Sequence, residues 1–294
     1  SRQSGGGGGR QGGGDKSPVA GRVYVRPRTP WHATACGAAP PPLETAHSSP
    51  LATAACTCGR PGIWLNDEVI EYYNRLLMTR ENPAVRAYWL PTFFYPILVG
   101  RTQVERRKTH NFDQVKPFTR ADLLGRAGMD NIFTDAQLIL VPLHLGNAHW
   151  ALAVVDLRRQ NIYYYDSLLR GNFYDDGRKH LKRLQLWLAD AWAEKGLANP
   201  TPVIPQWPLV VVRNIPQQRN GYDCGVFSTM FGRLLAEGKD PAAANAWFTQ
   251  VHVTHLRYRM ALEIWESEKT PGRSRSLPVS SSDKNVYPSY NISF

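Results

Sequence analysis

Between Asn66 and Met78 the apolar positions recur at Val69, Ile70, Tyr73, Leu76 and Leu77. This is the 3.6-residue period of an amphipathic helix, and Asn66 or Asp67 supplies its N-cap. The pattern then shortens into apolar runs. Leu138-Ile139-Leu140-Val141 predicts a buried strand, and two more follow at Trp150–Leu157 and Asn161–Tyr165, joined by the polar turn Arg158-Arg159-Gln160. Helical spacing returns at Leu181, Leu184, Leu188 and Ala191, and the β-branched run Leu209–Val212 predicts a further strand. Val226, Met230 and Leu234, with Phe227 and Phe231, predict a helix that opens close to Cys224. Asp240-Pro241 predicts another, opened in the cap-then-proline manner, and Leu256, Met260 and Ile264 predict a last one. These elements make an α+β fold in which helices flank a central β-hairpin.

The patterning fails at both ends. Residues 1–57 hold ten Gly and seven Pro, a composition that cannot bury enough apolar surface to offset its ordering entropy, so a flexible leader is expected there. Within it Val23-Tyr24-Val25 could pair as a short strand. After Glu268 the chain turns Ser- and Pro-rich again, and 269–294 is expected to be a loose tail. The folding core is then 58–268, without an internal repeat. Ser1, in place of an initiating Met, suggests a fragment or a processed chain.

The net charge of +11 invites a nucleic-acid partner until it is divided by region. Residues 1–57 carry six basic side chains against Asp15 and Glu44, and 269–294 carry four against Asp283. Those ends account for +4 and +3, which leaves +4 on the core. No nucleic-acid partner is therefore expected. No apolar run reaches the roughly 18 residues of a membrane span, and the Gly-rich start has no apolar segment of a secretory signal, so no membrane partner is expected either. Four cysteines, at 36, 56, 58 and 224, fit a reducing compartment better than a disulfide scaffold.

An isolated cysteine is most often a small buried hydrophobe. Cys224 differs in its setting. Asn220-Gly221 signals a turn, and helical periodicity begins directly after Gly225. A thiol at the first turn of a helix faces the positive end of the dipole and unpaired backbone N–H groups, which favour a thiolate nucleophile. His149 opens one strand of the hairpin and Asp166 closes the other. With the turn at about 157–160, antiparallel pairing sets 149 and 166 opposite one another to within about two residues. Asp166 can then fix the imidazole tautomer and leave the other ring nitrogen for the thiol. Asp156 competes, but it lies seven residues from His149 on the same strand and so on the opposite face. Attack on a carbonyl builds an oxyanion that needs donors; the Cys224 N–H can supply one, and Gln217 or Gln218, just upstream, another.

These residues fall in three segments that together resemble the SUMO-specific (sentrin/Ulp-type) cysteine protease family. Ile215–Phe227 (IPQQRNGYDCGVF) is similar to its catalytic-cysteine motif, Leu138–Leu168 to its His–Asp segment, and Gly62–Met78 (GIWLNDEVIEYYNRLLM) to its opening substrate-binding helix. The resemblance covers about 60–266. It implies a papain-like fold with a central mixed sheet flanked by helices, and a thiol isopeptidase that cleaves after the C-terminal Gly-Gly of SUMO. Either deconjugation from lysines or maturation of a precursor would use that activity. It implies Cys224 as nucleophile, His149 as general base and acid, Asp166 as orienting carboxylate and Gln218 as oxyanion donor. Trp64 and Trp150 match two tryptophans that wall a narrow tunnel, and Asp67 an acidic residue that contacts the substrate. The partners it implies are SUMO and SUMO-conjugated proteins, bound by a monomer without metal or organic cofactor, in the nucleus or nucleocytoplasm. Relatives directed at NEDD8 or ubiquitin, and a binding module without catalysis, are the alternatives. Arg219 departs from the Pro or Met common at its position, and 167–180, between Asp166 and the next predicted helix, is longer and more charged than the resemblance leads one to expect.

The remaining candidates read as structural. Cys56 and Cys58 lack a second thiol pair at zinc spacing. His144 reads as a satisfied loop histidine, and Arg106-Arg107-Lys108 as a solvated face that could also meet an acidic partner surface.

Overall fold

The computed structural model describes residues 60–79, 84–100, 111–120, 124, 128–169, 173–243 and 247–269. The leader with Val23–Val25, the cysteines at 36, 56 and 58, the Arg106–Lys108 run and the tail after 269 lie outside them.

Helix α1, Asp67–Met78, is opened by Asn66, whose side chain accepts from the Val69 N–H. Of the two predicted caps it is therefore Asn66 that acts, which leaves the Asp67 carboxylate in the first turn, where the dipole favours a negative charge. Val69, Ile70, Tyr73 and Leu77 are buried as expected; Asn74 is buried with them, and Leu76 only partly. Strand β1, Ala87–Trp89, and helix α2, Phe94–Val99, follow. Short helical turns at Phe112–Val115, Lys116–Thr119 and Ile132–Asp135 lead to the central strands. These are β2, Leu138–Leu145, β3, His149–Asp156, and β4, Asn161–Tyr165. Helix α3, Phe173–Glu194, precedes strand β5, Leu209–Val211. Helices α4, Cys224–Ala236, and α5, Val253–Lys269, complete the described chain.

The five strands lie in the order β1-β2-β3-β4-β5. The outer pairs β1/β2 and β4/β5 are parallel, and the inner pairs β2/β3 and β3/β4 antiparallel. This is the mixed sheet of an α+β fold. Every residue from Trp150 to Asp156 is buried, so helices cover β3 on both faces and its sequence reads as a continuous apolar run. On one side lie α2 and α3, where Phe94 and Trp187 meet edge-to-face at 5.0 Å. On the other side is α4, whose Ser228 hydroxyl donates to the Ala151 carbonyl of β3 at 3.0 Å.

Three expectations need correction. Strand β2 runs four residues past Val141 and carries His144, which is thus a strand residue and not a loop one. The helix expected at Asp240-Pro241 is instead a turn at 240–243, where the Asp240 carboxylate accepts from the Ala242 N–H and so satisfies the backbone locally. Strand β5 ends at Val211 rather than Val212.

Helix α4 approaches β1 closely at Gly232, where a Cβ would stand 1.9 Å from Trp89 Cη2. The indole is buried and its backbone is held in the sheet, so it has no room to withdraw. Gly232→Ala is expected to destabilise the fold by about 2–3 kcal/mol, since overpacking exceeds the helix-propensity gain. A shift of the urea midpoint without a change of slope would show it.

Candidate active site

Cys224 is the first residue of α4 and is buried. The N–H groups of a first helical turn have no intrahelical acceptor, so the end of α4 that carries the thiol is a cluster of donors. The helix is seated by Ser228, one turn on, through its bond to Ala151 on β3. Ala151 is two residues along the strand from His149, so this contact sets thiol and imidazole side by side. The Cys224 side chain acts on the His149 ring and raises its affinity for a proton.

The register of β3 and β4 places Asp166. Leu152 pairs with Tyr165, and one further step sets Asp166 beside Ala151, on the face of the sheet that carries His149. The offset from direct opposition to His149 is the two residues allowed by the hairpin argument. Asp166 Oδ1 lies 2.8 Å from His149 Nε2. A carboxylate only accepts, so Nε2 carries the proton and Nδ1 is the nitrogen left for the thiol. Asp166 is 0% exposed. Its Oδ1 also accepts from the Leu168 N–H at 2.8 Å, and its Oδ2 from the Tyr164 hydroxyl at 2.9 Å. Burial works against a charged His149 ring, but hydrogen bonds to Asp166 and Cys224 and attraction to both outweigh it and push the pKa up to about 9. Asp156, the competing carboxylate, caps the β3–β4 turn by accepting from the Arg158 and Arg159 N–H groups, at the far end of β3.

Gln218 is buried in the loop before α4, whereas Gln217 is exposed. Gln218 Oε1 accepts from the Ser167 hydroxyl at 2.6 Å, and Nε2 donates to the Asn220 carbonyl at 2.7 Å. Gln217 links the same two loops, accepting from the Leu169 N–H and donating to the Asp166 carbonyl. Asp223, just before Cys224, does not cap α4 with its side chain. Its carboxylate instead receives Arg257 of α5, with Arg257 Nη2 at 2.6 Å and Nε at 2.9 Å from Oδ1.

The two tryptophans differ in setting. Trp150, next to His149, is 3% exposed and stacks face to face on His144 at 4.1 Å. His144 pairs with Trp150 across the β2–β3 hairpin, which explains the stack. Trp64 is 44% exposed, just before α1. Its neighbour Leu65 packs on the head of α4, where a Cβ on Gly225 would lie 3.1 Å from Leu65 Cβ. The Trp64–Leu65 segment is thus held against the residue that follows Cys224. The Asp67 charge reaches His144, where burial lowers the pKa, Asp67 opposes and His149 adds to the fall. His144 is the site residue that sequence reasoning missed; the hairpin register, with Leu145 opposite His149, was the signal that could have found it.

A cysteine at a helix head, a histidine on the neighbouring strand and a carboxylate one strand further on, over a mixed sheet, define the arrangement of a papain-like thiol protease. The chain belongs to the Ulp1 protease family: the family's C-terminal catalytic domain matches residues 63–270. Among curated relatives it is 34% identical over 211 residues to the ubiquitin-like-specific protease ESD4 of Arabidopsis thaliana, covering 70% of this chain and 38% of that protein. It is 34% identical over 205 residues to a sentrin-specific protease of Caenorhabditis elegans, covering 68% of this chain and 25% of that protein. The chain therefore spans well under half the length of these relatives. Its fold is also that of the C-terminal Ulp1 protease domain solved in complex with Smt3, the yeast ortholog of SUMO. That match has a TM-score of 0.54 at 22% identity and covers 72% of this chain and 80% of the other.

Proposed function

We propose that the chain is a thiol isopeptidase that cleaves after the C-terminal Gly-Gly of SUMO, freeing it from lysine conjugates or maturing its precursor. The observation that carries this reading is the set Cys224, His149 and Asp166 at the head of α4, with His149 bonded to Asp166 at 2.8 Å and its ring under the influence of Cys224. The relatives' names, ubiquitin-like-specific and sentrin-specific protease, support the substrate class.

In the reaction the thiol proton is held by His149 Nδ1, as the raised ring pKa favours, and the Cys224 Sγ thiolate attacks the carbonyl carbon of the terminal glycine. The resulting oxyanion lies against the Cys224 N–H and the Gln218 amide. As the C–N bond breaks, the imidazolium protonates the departing lysine amine, leaving a thioester. Water, deprotonated by His149, hydrolyses the thioester and restores the thiol. A ring pKa of about 9 keeps the imidazolium available for the protonation step through the neutral range. Asp166 holds the ring throughout. Trp64 and Trp150 would close over the extended tail, where two indoles exclude side chains and admit only glycines. Asp67, half-buried at the start of α1, would meet the modifier itself.

The test is a panel of SUMO, NEDD8 and ubiquitin probes bearing a C-terminal electrophile, applied to the chain and to Cys224→Ser. Covalent labelling by the SUMO probe alone, lost in the variant, is the expected result. Labelling by NEDD8 or ubiquitin instead would move the substrate assignment. Binding without labelling would make the chain a recognition module.

A further inference from the structure

We infer that Ser167 is a positioning residue that fixes the orientation of the Gln218 amide. This inference rests on the proposed role of Gln218 as oxyanion donor. A glutamine amide presents two donors on one side and an acceptor on the other, and only the nitrogen side can serve an oxyanion. Two contacts determine which side faces which way. The Asn220 carbonyl can only accept, and it stands 2.7 Å from one terminus of the amide, so that terminus is Nε2. The other terminus, Oε1, then faces the Ser167 hydroxyl at 2.6 Å, and that hydroxyl must be the donor.

The pair is shut off from solvent, since Ser167 and Gln218 are each 1% exposed. No water can replace the serine proton there without a rearrangement. The backbone adds a second tie, from the Gln218 N–H to the Ser167 carbonyl at 3.0 Å. Of the two Nε2 hydrogens one is committed to Asn220, and the other is the one available for an oxyanion. The backbone carbonyl of Asn220 itself belongs to a loop whose turn is closed by its own side chain, which accepts from the Tyr222 and Asp223 N–H groups.

Ser167 directly follows Asp166. The dipeptide therefore directs both halves of the site at once: the aspartate holds the proton-transfer ring, and the serine holds the amide. The single turn after β4 thus couples ring and amide, although Gln218 is 51 residues away in sequence from Ser167.

The experiment is a double-mutant cycle on kcat and KM for a SUMO–peptide fusion, with Ser167→Ala, Gln218→Ala and the double variant, each checked for folding by thermal melting. Gln218→Ala is expected to lower kcat by about 10²–10³-fold, as for the loss of an oxyanion donor. Ser167→Ala is expected to lower kcat about tenfold with KM within about twofold, because an unpaired buried amide oxygen lets the side chain turn. In the Gln218→Ala background the same Ser167→Ala change should cost less than about twofold. A Ser167 loss that persists undiminished in that background, or that appears in KM alone, overturns the inference. So does an unchanged kcat in Ser167→Ala while Gln218→Ala is impaired. If Gln218→Ala itself retains full kcat, it is the oxyanion role of Gln218 that fails, a result separable from the others.

Discussion

Asp166→Ala is expected to lower kcat by about 10³–10⁴-fold, the scale seen when a triad carboxylate is lost. Asp166→Asn should cost less. The contacts at this carboxylate let the amide keep its oxygen toward the ring, and so keep the tautomer whose loss is what an asparagine otherwise costs a triad. The difference follows from the three donors around the carboxylate. Alanine leaves the His149 Nε2–H, the Leu168 N–H and the Tyr164 hydroxyl facing a buried space without an acceptor, and the ring is free to turn. Asparagine can keep Oδ1 toward His149 and the Leu168 N–H, since both require an acceptor. Its Nδ2 then faces the Tyr164 hydroxyl, which accepts as readily as it donates. The imidazole tautomer survives, and what is lost is the charge. That loss has a pH signature. With Asp166 ionised, His149 stays protonated up to about 9. In Asp166→Asn its pKa should fall toward the ordinary value of about 6.5, and the alkaline limb of kcat/KM should move down with it. The raised pKa also contributes to stability. That contribution is complete below about 6.5 and is lost as pH rises through about 9, so it too should shrink in the variant. An Asp166→Asn enzyme as inactive as Asp166→Ala, or with an unmoved alkaline limb, would contradict this account.

Much of that site is legible in the sequence because it is built on local rules. Helix α4 begins where turn residues give way to 3.6-residue spacing, which puts Cys224 at its head. His149 and Asp166 share a face by the parity of a hairpin, and parity survives an error of two residues in register. What could not be read has long sequence separation and no period. The Ser167–Gln218 and Asp223–Arg257 contacts join loops and a helix 51 and 34 residues apart. Arg257 falls in a helix whose apolar period is carried by Leu256, Met260 and Ile264, and nothing in that period marks a neighbouring arginine as buried. Strand β1 is three residues long and borrows its order from parallel pairing with β2, so its own pattern is too short to announce it. His144 was misjudged for a different reason. Pro142 interrupts the apolar run and argues against a strand, yet β2 continues through it opposite Leu152.

The Asp223–Arg257 pair carries the second large expectation. Arg257 is 1% exposed, and its guanidinium serves Asp223 Oδ1 through both Nε and Nη2, with Nη2 also donating to the Tyr222 carbonyl at 3.0 Å. Asp223 Oδ2 accepts from Asn220 Nδ2 at 2.6 Å and Gln250 Nε2 at 2.7 Å. Helix α5 thereby clamps the turn that leads into Cys224. Removing the arginine leaves a buried carboxylate with two neutral amides and no compensating charge. Arg257→Met is therefore expected to destabilise the protein by about 3–5 kcal/mol, read from urea denaturation. The magnitude reflects the stranded charge more than the worth of the pair itself. Asp223→Asn together with Arg257→Met should accordingly recover much of the loss, because no charge is left buried without a partner. Catalysis should not recover in step. The Asn220 carbonyl that orients Gln218 and the backbone that presents Cys224 both lie in the clamped turn, and two neutral side chains do not reproduce the forked contact that spans Asp223 and Tyr222. Stability restored with kcat still depressed would separate the two roles of Arg257. A double variant as unstable as Arg257→Met would show that packing, and not the unpaired charge, sets the cost.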